Sequence, residues 1–212
     1  GEKNKLAAGL LAIIFGTTYM LPSTAMAGTL EFDGVPVDIT TVEGENLLIV
    51  ISAMGKTTNA LEKVVQAFYE KRNEEALQLF EQVKQQHLNT VKYLLITHSL
   101  ACEKQLKDFF TEVEWMLHDK PVREYDYYYD QVVCVGELLS TAIVSHYLNE
   151  TGINNKWLDV RDIIRTDDNF RDANIDWKFT LEQVAAKVKP LFQKSPLIIT
   201  QGFIGATYEN ES

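Results

Sequence analysis

The chain has 212 residues, 46% of them hydrophobic and 24% charged, with a formal net charge of -10 at pH 7. A chain of this length buries one sizeable core without disulfides or metal, so one main domain is expected. Its 30 Asp and Glu against 20 Lys and Arg exclude non-specific nucleic-acid binding, which needs clustered cations to neutralise phosphates.

At the N-terminus, Lys3-Asn4-Lys5 precedes an apolar run from Leu6 to Leu21, and Ala25-Met26-Ala27-Gly28 has the A-x-A form of a signal-peptidase site. Residues 1–28 therefore read as a secretory signal, as a buried helix, or as sequence unrelated to the rest of the chain. Gly16, Thr17, Thr18 and Pro22 interrupt the run and argue against a membrane span. The alternation of Thr29 to Val35 before Pro36 predicts a short strand and turn. Leu47-Leu48-Ile49-Val50-Ile51 is uninterrupted and aliphatic, the pattern of a parallel strand buried on both faces.

The small-residue loop Ser52 to Asn59 leads into helical spacing at Leu61, Val64, Val65 and Phe68. A second helix carries Ala76, Leu79, Phe80, Val83, Val91, Leu94 and Leu95 on one face, and a third is expected over Cys102–Leu117. Pro121 closes that region. The tyrosines of Tyr125-Asp126-Tyr127-Tyr128-Tyr129-Asp130 then form either an aromatic cap on the helical layer or a ligand-stacking face. A fourth helix is predicted from Gln131 to Asn149, stopped by Gly152.

Trp157 to Val160 is a short strand candidate. Thr180-Leu181-Glu182-Gln183 has the side chains of a capping box, predicting a helix from there to about Leu191. Pro196 to Thr200 is the next strand, running into the glycine-containing loop Gln201 to Gly205. Strands alternating with helices predict an α/β fold with a mostly parallel sheet, whose ligands gather at the carboxyl ends of the strands. Ser52 to Asn59 and Thr200 to Gly205 sit at such ends.

Cys102 and Cys134 lack the close paired spacing of a zinc or redox site and are expected as free buried thiols. The four histidines are scattered singly, so no metal site is assigned. Glu137 lies among Val133, Val135, Leu138 and Leu139. A carboxylate there either faces a polar cleft or sits on the helix surface, because burying it unpaired is costly.

In chain order, Val50 to Asn59, Val135-Gly136-Glu137-Leu138-Leu139-Ser140-Thr141, Leu158-Asp159-Val160-Arg161-Asp162 and Ile199 to Gly205 resemble successive motifs of the aspartokinases, members of the amino acid kinase superfamily. The resemblance runs from about Leu47 to Ser212. It implies a three-layer α/β/α sandwich over residues 29–212, and phosphoryl transfer from ATP, with Mg²⁺, to the β-carboxylate of L-aspartate, the first step of lysine, threonine and methionine synthesis. A cytoplasmic homodimer is also implied, without a membrane partner.

By the same resemblance, Ser52 and Thr58 contact aspartate or the transferring phosphate, Glu137 holds the substrate α-ammonium, Phe203 and Gly205 line the cleft, and Arg161 is a neighbour. No residue is assigned as a catalytic base, since a carboxylate nucleophile with a pKa near ~4 is already ionised. Two features depart from the family. The Lys-Phe-Gly-Gly-Thr-Ser loop that meets the phosphates is absent, Glu31 standing where its lysine belongs. The Thr-Leu-Gly-Arg loop, the nucleotide lobe and the regulatory domains are expected beyond Ser212. The chain is thus expected to be a partial catalytic domain, with a different amino acid kinase or a non-catalytic aspartate-binding remnant as alternatives.

Overall fold

A computed structural model describes residues 46–212 throughout, together with the backbone of two strands, β1 (Ala25–Phe32) and β2 (Val35–Val42). The apolar run Leu6–Leu21 lies outside the described residues, as do residues 33–34 between the two strands. β1 and β2 form an antiparallel hairpin of their own. The division expected after Gly28 therefore falls inside β1.

The second sheet is parallel, in the order β3-β5-β4, with β3 at Leu47–Ile51, β5 at Leu197–Gln201 and β4 at Lys156–Trp157. Leu47 pairs with Leu197 and Ile51 with Gln201, so the two long strands end together. Every residue of β5 is buried. Leu197 and Ile199 join the main core, while Ile198 points the other way into a smaller cluster with Leu158, Ile163 and Val188. A period of two thus divides one strand between two apolar layers.

The main layer holds α1 (Thr57–Tyr69), α2 (Asn73–Leu94), α3 (Ser99–Leu117), α4 (Tyr125–Val133) and α5 (Val135–Glu150). Leu61, Val64, Val65 and Phe68 of α1 are buried, as are Leu106, Phe109, Phe110, Val113 and Leu117 of α3. The stretch Tyr125–Glu150 is long and apolar enough to cross a membrane, yet 83% of its apolar window is buried inside the fold, which marks α5 as the central helix of the core. The opposite layer is α6 (Trp177–Gln183), a π turn at Val184–Val188 and α7 (Lys189–Phe192). Pro190 crowds the carbonyl four residues back, and that residue, Ala186, lies in the widened π turn.

Three sequence expectations change. β3 is not buried on both faces: Leu48 and Val50 are 40% and 45% exposed, because the α6–α7 layer packs on β5 and leaves the outer face of β3 open to a cavity. The tyrosine segment is helical, and Tyr125 and Tyr128 pack edge-on against Tyr69 and Phe68 at 5.4 and 5.2 Å, as an aromatic cap would. The predicted fourth helix is accordingly two, meeting at Cys134. Finally, α6 is capped by Asp176, whose Oδ1 accepts from the Phe179 N–H at 3.0 Å. Thr180 sits inside the helix, and its Oγ1 accepts from the Arg165 N–H.

Candidate acceptor site at the carboxyl ends of the parallel strands

β3 runs into Ser52-Ala53-Met54-Gly55, and Gly55 turns the chain at φ +56, a conformation that costs glycine little. Thr57 donates its hydroxyl to the Met54 carbonyl at 2.6 Å and starts α1. The first turn of α5 crosses this loop closely. A Cβ on Gly136 would meet Ala53 Cβ at 3.0 Å and Leu61 and Thr57 methyls at 3.3 Å. Glycine lets the helix lie this near without pushing on those side chains, and that contact carries Glu137 over the loop.

Glu137 is 7% exposed. Its Oε1 accepts from Ser52 Oγ and from the Ala53 N–H, both at 3.3 Å. Burial raises its pKa, and hydrogen bonds from its own N–H, the Ala53 N–H and Ser52 oppose the rise. No cation among the described residues forms an ion pair with it. Ser140 donates to the Ser52 carbonyl at 2.6 Å, which locks the strand end to the helix.

A cavity of about 1060 Å³ opens here, and Ser52, Thr58, Glu137, Phe203 and Gly205 all line it. Phe203 is 84% exposed with φ +63. A Cβ on Gly205 would lie 3.0 Å from methyls of Ile164 and Thr166, so the 201–205 loop also depends on close backbone approach. Arg161 is not among the lining residues. Its guanidinium is held by Asp159 at 2.8 Å, with Glu112 at 3.6 Å.

Several participants were not assigned to the site from the sequence. Gln201 is buried, donating to Thr141 Oγ1 at 2.8 Å and accepting from the Val160 N–H at 2.8 Å. Thr141 in turn accepts from the Trp157 indole N–H and donates to the Glu137 carbonyl at 2.8 Å. These bonds tie β4, β5 and α5 together behind Glu137. Tyr129, Asp130 and Arg171 also line the cavity. Cys134 also lines the cavity, but burial pushes its thiol up to about 12, so it stays protonated and unreactive near neutrality. Among the described residues, no group of three His, Cys, Asp or Glu is placed to hold a metal ion.

The profile of the amino acid kinase family matches residues 37–212. The chain belongs to that family. Among curated proteins, this amino acid kinase chain is 34% identical to aspartokinase 1 of Arabidopsis thaliana, a chloroplast protein, over 79% of its own length and 29% of that protein. It is 29% identical to an aspartokinase of Chlamydia trachomatis, over 75% of its length and 33% of that protein. Crystal structures of E. coli aspartokinase III, one with lysine and aspartate and one with aspartate and ADP, superpose with TM-scores of 0.68 and 0.67 at 24% identity and 77% coverage of this chain. The fold is thus that of the amino acid kinases, and the chain spans about a third of each of these relatives.

Proposed function

We propose that these residues form the acceptor side of an aspartate kinase, which holds L-aspartate so that its β-carboxylate can take a phosphoryl group. The observation that carries this reading is Glu137, a buried carboxylate on the cavity wall with no ion-pair partner among the described residues. A ligand ammonium supplies the missing charge, and the same pairing rejects dicarboxylates that lack an amine. Ser52 and Thr58 add hydroxyls beside it, and Phe203 and Gly205 shape the entrance.

The nucleotide is a different matter. ATP and Mg²⁺ belong to the family's chemistry, but the described cavity presents Asp130, Glu137, Asp167 and Asp172 against a single guanidinium. That set does not fit a triphosphate, which needs cations and clustered N–H donors, so no step of nucleotide handling is assigned to it. Homodimerisation and a cytoplasmic location belong to the same reading.

Titration calorimetry with L-aspartate tests the acceptor assignment. Binding of aspartate but not of succinate is expected, and equal binding of the two would overturn the role of Glu137. Coupled ADP release with L-aspartate, ATP and Mg²⁺ tests how much of the reaction this chain performs, and turnover at the rate of a full-length enzyme would refute the division of labour proposed here.

A further inference from the structure

We infer that Thr141 and Gln201 are positioning residues of the acceptor site, a buried hydroxyl–amide relay that holds Glu137 and the 201–205 loop in one fixed relation; the inference rests on the acceptor reading above. Thr141 stands one turn after Glu137 on α5. Gln201 is both the last residue of β5 and the first of the loop that carries Phe203 and Gly205. The two side chains are 0% and 2% exposed, so their polar atoms must find partners inside the protein.

Those partners fix the direction of every bond. The Val160 N–H can only donate, so the atom that meets it at 2.8 Å is the Gln201 carbonyl oxygen, which leaves the amide nitrogen facing Thr141 Oγ1 at 2.8 Å. The Trp157 indole N–H reaches the same hydroxyl at 2.9 Å. With both lone pairs taken, Thr141 gives its one proton to the Glu137 carbonyl at 2.8 Å, the Leu138 carbonyl lying next at 3.2 Å. The bonds from Val160 through Gln201 and Thr141 to Glu137 thus all run one way, an arrangement in which each polarises the next.

A threonine bonded to the carbonyl four residues back ordinarily does no more than bend its helix. Here the same hydroxyl is also tied to β4 and β5, so the first turn of α5 cannot shift without disturbing the end of β5. The other face of that turn is seated on Ala53 through Gly136, and Ser140 holds the Ser52 carbonyl at 2.6 Å. Glu137 is clamped between the two. Its carboxylate bonds to Ser52 and Ala53 are long, at 3.3 Å each, and a small displacement of the helix is enough to lose them.

Thr141→Val keeps the shape and removes the hydroxyl, Thr141→Ser keeps the hydroxyl, and Gln201→Met keeps the length and removes the amide. Two measurements on the whole chain, each made below the variant's melting transition, test the relay: titration of Glu137 followed by its carboxyl carbon shift without ligand, and calorimetry with L-aspartate. The Ser52 and Ala53 bonds oppose the rise that burial causes in the Glu137 pKa. Thr141→Val and Gln201→Met should therefore raise its titration midpoint further and weaken L-aspartate about five-fold or more, while Thr141→Ser matches wild type in both. Combining Thr141→Val with Gln201→Met should add little to either alone, since both cut one relay. If Thr141→Val lowers Tm yet leaves midpoint and affinity unchanged, or if Thr141→Ser behaves like Thr141→Val, the bonds are only scaffolding and the inference falls. Midpoints that move as expected in a chain that binds no L-aspartate would support the relay's hold on Glu137 and bring down the acceptor reading instead.

Discussion

Glu137 combines two properties that pull in opposite directions, burial that disfavours its charge and a position where that charge is needed. Its pKa is raised in the folded chain, so deprotonation opposes folding as pH climbs from the ordinary carboxylate range through the raised value. Glu137→Gln should therefore be at least as stable as wild type at neutral pH, while L-aspartate binding falls about 10- to 100-fold. The pH dependence of binding has the opposite sign: aspartate affinity is full above the raised pKa and declines as acid protonates Glu137. Calorimetry between neutral and mildly acidic pH should show that decline in wild type and a flat profile in the variant. Gly136 makes a second case. Alanine favours helices by roughly 1 kcal/mol over glycine, but its Cβ meets Ala53 at 3.0 Å. Overpacking of this kind costs about 1–3 kcal/mol, so Gly136→Ala should lower the unfolding midpoint in urea and weaken aspartate binding together. A gain in stability with intact binding would show that the loop simply yields.

Single elements show which parts of the molecule could be read in advance. Helices α1 and α3 were legible because one face of each is buried and the other wet, which writes a 3.6-residue period into the chain. β5 was legible as an aliphatic run between turn residues. β3 has the same composition but half of it faces a cavity, and hydrophobicity cannot separate a strand covered by a helix layer from one that lines a pocket. The cap of α6 was misplaced because Thr180 has the right chemistry, yet its hydroxyl serves Arg165, and Asp176 holds the helix end. The order β3-β5-β4 and the meeting of Ala53 with Glu137 across 84 residues depend on tertiary packing.

An element-scale prediction comes from the far end of α5. Glu150 accepts backbone N–H groups from Ile96, Thr97 and His98 and so ties that end to the start of α3. The bonds from His98 and Thr97 lead in lowering its pKa to about 2. A depressed carboxylate contributes stability that is present above its unfolded pKa, near 4.5, and is lost as pH falls toward 2. Thermal melts of wild type and Glu150→Gln should differ at neutral pH, with the variant lower, and converge near pH 2. A constant gap across that window would show that the carboxylate's charge is not what matters.

At the scale of the whole molecule, the two sides of the parallel sheet are unequal. One side packs four helices around α5, whereas the other rests on a small cluster of Leu158, Ile163, Val188 and Ile198 beneath a short, π-distorted helix. Regions with few buried apolar contacts open at lower free energy than the global unfolding reaction. Hydrogen exchange should therefore be fast in 166–192 and slowest in α5 and β5. The cavity is lined from both sides, by Glu137 on α5 and by residues of the 166–175 loop, so a ligand that fills it joins a stable layer to a weak one. L-aspartate at about 100-fold its Kd adds ~2.7 kcal/mol to the native state, or a rise in Tm of roughly 5–10 °C for a domain of this size. Exchange should slow most in the 166–175 loop and in 201–205, and little in α3, which lies behind α5. If aspartate slowed exchange equally everywhere, it would be raising global stability alone, and the picture of a ligand that clamps the weak layer onto the strong one would have to be abandoned.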